Sequence, residues 1–137
     1  TFEKRKNELF SSLDMTSFAE RRIGQLSTGM KQKTSIVRTI IHDPPVMIFD
    51  EPTSGLDIMT SRAIMDLIRR CKEEGKTVIF STHRMGEINQ VCDDIAIIFS
   101  GKLFCNDPLE KFKAEMTKDN FEDEFIVRIE EAWIWSH

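Results

Sequence analysis

The stretch "LSTGMKQKTSIVRTIIHDPPVMIFDEPTSGLD", residues 26–57, decides the fold. After Gly29 the spacing predicts a helix from Met30 to about Ile41, with Ile36, Val37, Ile40 and Ile41 on one face. "HDPP", residues 42–45, stops it, because a residue before proline leaves helical space and proline cannot continue a helix. "VMIFD", residues 46–50, is a continuous apolar run ending in an acid, and it reads as a strand buried on both faces. Pro52 and Gly55 mark a loop. Asp57 is placed to cap a helix running to about Glu74, where Ile64, Leu67, Ile68 and Cys71 form one stripe and Gly75 ends it.

Outward from there the same alternation continues. "TVIFS", residues 77–81, is a second strand, "HRMGEINQVC", residues 83–92, a helix, and "IAIIF", residues 95–99, a third strand, after which Gly101 turns into "KLF". Strand, helix, strand, helix, strand predicts an α/β fold with a mostly parallel sheet and right-handed crossovers. Upstream, Glu3 to Leu13 fits a short amphipathic helix, and "DMTSFAERRIG", residues 14–24, reads as a polar connector. Downstream, "PLEKFKAEM" is a short helix, "TKDN" a break, and "FEDEFIVRIEEAWIW" an acidic amphipathic helix with Phe121, Phe125, Ile126 and Ile129 on one face. Whether Trp133, Ile134 and Trp135 are packed is open at this level.

Composition narrows the function classes. The 137 residues carry 19 basic and 23 acidic side chains, so no basic surplus points to nucleic acid. Apolar runs such as "IAIIF" are far too short to span a bilayer. The opening "TFEKRKNELF" is charged and lacks the apolar core of a secretory signal. Cys71, Cys92 and Cys105 are isolated and odd in number, which shows neither a zinc spacing nor a disulfide frame. Position 1 is Thr rather than Met, so a processed, cut or fragmentary chain is expected.

In open α/β sheets ligands gather at the carboxyl ends of strands, where Asp50 and Glu51 stand. An Asp there can hold Mg²⁺ on nucleotide phosphates through water, and a neighbouring Glu can orient or deprotonate an attacking water. A solvated strand end is the plain alternative. "STGM", residues 27–30, leaves free N–H groups at a helix start, an anion site or an ordinary cap. His83 follows the second strand and belongs at the same sheet edge, although a lone His there is more often a surface residue.

Taken together, these segments resemble the ATPase subunits of ABC transporters, from the late helical subdomain to the C-terminus. "LSTGMKQK" is similar to the family's signature motif, "VMIFDE" to its Walker B strand, "SGLD" (Ser54, Gly55, Leu56, Asp57) to its D-loop, and "STHRM" to its switch-histidine segment. The resemblance implies a partial P-loop NTPase fold. It divides the chain into the end of the helical subdomain (1–25), the signature-to-switch core (26–106) and a C-terminal helical extension (107–137). It further implies that Asp50 holds the water shell of Mg²⁺, Glu51 acts as general base, and His83 contacts the γ-phosphate of ATP. Ser27, Thr28, Gly29 and Met30 would press on an ATP held by the opposite subunit of a head-to-tail dimer, and Asp57 would couple the two sites. Partners would be a second ATPase subunit and an integral membrane permease, with the chain on the cytoplasmic face of the membrane. Thr28 and Met30 replace a Gly and the Gln of the usual Leu-Ser-Gly-Gly-Gln, as in a branch that includes sodium-extrusion and drug-export ATPases. "FEDEF" is similar to that branch's closing helix.

No G-x-x-x-x-G-K-[ST] phosphate loop occurs in the 137 residues. In the family that loop follows a strand lying between the counterparts of "TVIFS" and "IAIIF". A sheet without it lacks ladder bonds and buried side chains together worth on the order of 10 kcal/mol, comparable with a whole domain's stability. The expectation is a chain that alone is marginally folded and does not hydrolyse ATP. Two other readings stay open: a non-enzymatic remnant that binds a partner ATPase as a regulatory half, and a non-transport ABC ATPase of DNA repair or translation.

Overall fold

The computed structural model describes residues 1–135 and divides into two compact units, residues 1–83 and 84–137. The first unit holds α1 (Phe2–Ser12), α2 (Thr28–Ile40), β1 (Val46–Phe49), α3 (Ile58–Glu73) and β2 (Thr77–Phe80). Two 3₁₀ turns, Thr16–Phe18 and Ile23–Gln25, join α1 to α2.

Helix α2 begins two residues earlier than its apolar face suggests, because Ser27 caps it: the Ser27 Oγ accepts from the Met30 N–H at 3.2 Å. Helix α3 follows the same rule, Asp57 accepting from the Thr60 N–H, and Gly75 at φ 81° follows its last turn. The expected stripes are the buried faces, Ile36, Val37 and Ile40 on α2 and Ile64, Leu67, Ile68 and Cys71 on α3. The connector is less polar in effect than in composition, since Met15 and Phe18 are both buried. At the far end of α2 the Arg5 guanidinium donates to the Ile40 carbonyl and pairs with Asp43, which Lys76 also meets at 2.9 Å.

Strands β1 and β2 form a parallel pair, Val46 opposite Thr77 through Phe49 opposite Phe80. Here one expectation fails. Met47 and Phe49 are buried, but Val46, Ile48 and Ile79 are 52%, 68% and 55% exposed. Burial on both faces needs a layer on each side of the sheet, and among the described residues α2 and α3 supply only one.

The second unit holds α4 (Met85–Val91), β3 (Asp94–Phe99), β4 (Lys102–Pro108), α5 (Leu109–Ala114) and α6 (Phe121–Trp135). The third strand does not extend the parallel pair. It turns back through Ser100 (φ 47°) and Gly101 (φ 73°) and pairs antiparallel with β4, with a bulge at Ile97/Ile98. Two consecutive positive-φ residues match the twist of a hairpin, so the next segment becomes the partner. Around this hairpin Ile88, Ile95, Ile97, Cys105, Leu109, Phe112 and Phe121 form one core. Phe112 and Phe121 stack at 5.7 Å, and Arg128 lies 4.2 Å over the Phe112 ring. Ile126, expected on the buried face of α6, is exposed, because its position is rotated about 140° from Phe121 at 100° per residue. Trp133 and Ile134 are exposed, and the Trp135 side chain lies outside the described residues. No helix among the described residues is long and apolar enough to cross a membrane.

Candidate functional site

Parallel pairing brings the carboxyl ends of β1 and β2 to one edge. Continuing the register by one residue sets Asp50 beside Ser81, and the Ser81 N–H donates to the Phe49 carbonyl at 3.0 Å. The chain then leaves the sheet abruptly, with Glu51 at φ 47°, a left-handed conformation that costs a non-glycine residue about 1–3 kcal/mol. Pro52 and Thr53 behind it are buried, and the Ser54 N–H closes the turn on the Glu51 carbonyl at 3.1 Å.

Three of the sequence-predicted residues converge there. The Glu51 Oε2 meets the His83 Nδ1 at 2.6 Å, with the imidazole well exposed to solvent. The Asp50 Oδ1 accepts from the Ser81 hydroxyl at 2.6 Å, and the same Ser81 oxygen accepts from the Glu51 N–H at 2.9 Å. Ser81 was not among the expected site residues. The available signal was its place at the end of a strand as long as β1, which in parallel register puts it opposite the acid.

A second cluster forms where α2 and α3 begin. Ser27, Gly29 and Met30 from the start of α2, with Gly55, Leu56 and Asp57 from the turn before α3, line a cavity of about 270 Å³ that also touches Lys33. A Cβ built on Gly29 would meet Leu56 and Thr60 only at ordinary contact distances of 3.9 and 4.0 Å. Both Asp57 carboxylate oxygens are engaged by Thr60, one by its N–H and one by its hydroxyl at 2.8 Å. Those bonds hold the Asp57 carboxyl below its ordinary pKa. Thr28 and Ser54 do not line the cavity.

Gln32 links the two regions of sequence. From one turn into α2 its Nε2 donates to the Pro52 carbonyl at 3.0 Å, satisfying a buried acceptor directly behind Glu51. Its residue type carried no signal of this.

A strand-end acid pair with an imidazole, and a small-residue helix start facing a glycine turn, fit a site that handles phosphates and water. The ABC transporter family profile matches residues 1–54. The ABC transporter ATP-binding protein NatA of Bacillus subtilis is 40% identical over 116 residues, 84% of this chain and 47% of that protein. A fluoroquinolones export ATP-binding protein of Mycobacterium tuberculosis is 32% identical over 77% of this chain and 35% of its own length. A methionine import ATP-binding protein of Pectobacterium atrosepticum is 39% identical over 70% of this chain and 29% of its own length. Among solved structures, a dimeric ATP-binding cassette in a post-hydrolysis state, bound to ADP and Pi, matches with TM-score 0.69 and 30% identity. That match covers 77% of this chain and 46% of the other. The chain thus spans about half the length, or less, of the relatives it matches. The profile match, the curated relatives and the solved cassette agree with one another, and the chain is part of an ABC transporter ATP-binding domain.

Proposed function

We propose that this chain is the C-terminal portion of an ATP-hydrolysing subunit that powers a membrane ABC transporter of the exporter type. The observation that carries the reading is the convergence of Asp50, Glu51 and His83 at the shared end of a parallel strand pair. Glu51 is the general base that takes a proton from, or orients, the attacking water, and His83 holds the Glu51 carboxylate at the rim and reaches the γ-phosphate. Ser27, Thr28, Gly29 and Met30 complete the site of an opposing subunit in a head-to-tail dimer. Helix-start N–H groups and the roomy Gly29 support that part of the reading. Asp57, held at the start of α3 by its two bonds to Thr60, couples the two sites across the dimer from the D-loop (Ser54 to Asp57), and its exposed carboxylate keeps acceptor capacity for that.

Among the described residues no three His, Cys, Asp or Glu side chains gather as a metal cage. Mg²⁺ on a nucleotide does not require one, because it keeps most of its water and takes one or two carboxylates beside the phosphates. Asp50 fits that demand, an exposed carboxylate at the strand end with its Oδ1 held by the Ser81 hydroxyl. When bound, the ion neutralises charge on the transferring phosphoryl group.

The export direction is supported by the "LSTGM" signature, the "FEDEF" helix and the export relative, although an import protein matches as well. The transported molecule is selected by the permease, which holds the subunit on the cytoplasmic face of the membrane. Without a phosphate loop the 137 residues alone neither bind ATP tightly nor hydrolyse it. In the full-length subunit, Glu51→Gln should leave ATP binding intact and slow hydrolysis by about 10²–10⁴-fold. Unchanged turnover, measured as phosphate release, would remove Glu51 from the role and this reading with it.

A further inference from the structure

We propose that Ser81 is the positioning residue of the hydrolytic site, its single hydroxyl setting both the Asp50 carboxylate and the left-handed backbone of Glu51. The inference rests on the function proposed above and adds a residue to it. A serine hydroxyl has one proton to donate and two lone pairs to accept with. Here the proton goes to the Asp50 Oδ1 at 2.6 Å, the short distance of a bond to a charged acceptor, and a lone pair takes the Glu51 N–H at 2.9 Å. The Ser81 backbone N–H already holds the Phe49 carbonyl at 3.0 Å. The residue just past β2 thus grips three consecutive residues of β1 and its exit, 49, 50 and 51.

The consequences differ at the two acids. At Asp50, fixing one carboxylate oxygen sets the orientation of the whole carboxyl that a hydrated cation would meet. At Glu51, the N–H has left the strand ladder and the residue sits at φ 47°. The Ser81 bond gives that N–H a partner in the unfavourable conformation that lets the Glu51 carboxylate reach His83 at 2.6 Å. Asp50 and Ser81 are exposed, so water can replace both bonds when the hydroxyl is lost. Stability should hardly register the loss, whereas the directions of the two acids should.

The test compares Ser81→Ala, Ser81→Val and Ser81→Thr in the full-length subunit. Val and Thr are nearly equal in shape and both suit a strand end, so the pair isolates the hydroxyl from packing. Ala and Val should lower turnover about 10–100-fold, the effect of displacing a reacting group by about an ångström, with the KM for ATP changed less than about threefold. Thr should restore turnover to within about threefold of wild type. A second readout does not depend on turnover. In a Glu51→Gln background, Mn²⁺ bound with ATP and followed by electron paramagnetic resonance should bind several-fold more weakly with Val at 81 than with Thr. Wild-type turnover and Mn²⁺ affinity in the Val variant, while Glu51→Gln is inactive, would overturn the role of Ser81 and leave the proposed function standing. Equal losses in Val and Thr would also overturn it, since they would trace the effect to shape. A fully active Glu51→Gln would instead remove the proposed function itself.

Discussion

Glu51 occupies a conformation that glycine adopts freely and other residues adopt at a cost of about 1–3 kcal/mol. Its neighbours hold it there: Ser81 takes its N–H, Ser54 closes on its carbonyl, and His83 meets its carboxylate. A structure that only needed a loop after β1 would be better served by glycine. Glu51→Gly is therefore expected to slow hydrolysis at least as much as Glu51→Gln while raising unfolding stability by about 1 kcal/mol, measured by urea denaturation, and Glu51→Gln to slow it with no such gain. Equal stability in the two variants would mean that the backbone is not strained. At this scale the sequence disclosed residue types but not attachments. Asp50, Glu51 and His83 were readable because parallel strands end together. Ser81 and Gln32 were not, since a serine or a glutamine is common in such places and only the built loop shows what each holds.

Among the elements, α6 depends on a single buried acid. Glu124 is 2% exposed and accepts from the Thr117 and Lys118 N–H groups, the Thr117 hydroxyl and the Arg128 Nε at 2.7 Å, so it ties the "TKDN" break to the helix. Burial alone would raise its pKa, but the Arg128 bond and the N–H donors outweigh it and hold the carboxyl below its ordinary value. A carboxyl depressed in the folded state contributes stability that is fully present above its unfolded pKa of about 4.3 and fades as pH falls through the folded value. Acid below about pH 4 should loosen α6 before neutral-pH denaturants would suggest. Glu124→Gln should remove that acid dependence and cost about 1.5–3 kcal/mol at pH 7, read by the fluorescence of Trp133 and Trp135. A variant with unchanged stability and the same acid transition would assign the pH response to other groups. Helices were the legible elements, because Ser27, Asp57 and Gly75 punctuate them in sequence. The hairpin was harder: "IAIIF" reads equally well as a parallel or antiparallel strand, and the Ser100–Gly101 turn with positive φ at both residues settled the matter.

At the scale of the molecule, the strands among the described residues form two two-stranded sheets, β1 with β2 and β3 with β4. The α/β class was legible from apolar runs alternating with helical stripes. The exposure of Val46, Ile48 and Ile79 was not, because a run that is apolar at every position records a strand meant to be covered on both sides, whether or not both covers are present. That face, rimmed by the unextended parallel pair, should make the 137 residues alone bind a dye such as ANS and unfold over a broad temperature range. The full-length subunit should show neither property. A sharp, cooperative transition of the 137 residues with no dye binding would mean that each unit is self-sufficient.

Gly29 has a meaning for the cell that follows from its surroundings. It lies in a helix at a point where this chain has room for a methyl group, and glycine there is worse for the helix than alanine by about 1 kcal/mol. Chaperones and proteases judge a protein by how readily it opens. To them an alanine at position 29 would look like an improvement, and under the function proposed above such a protein should accumulate normally while turning over ATP more slowly, a defect that measurements of abundance would miss.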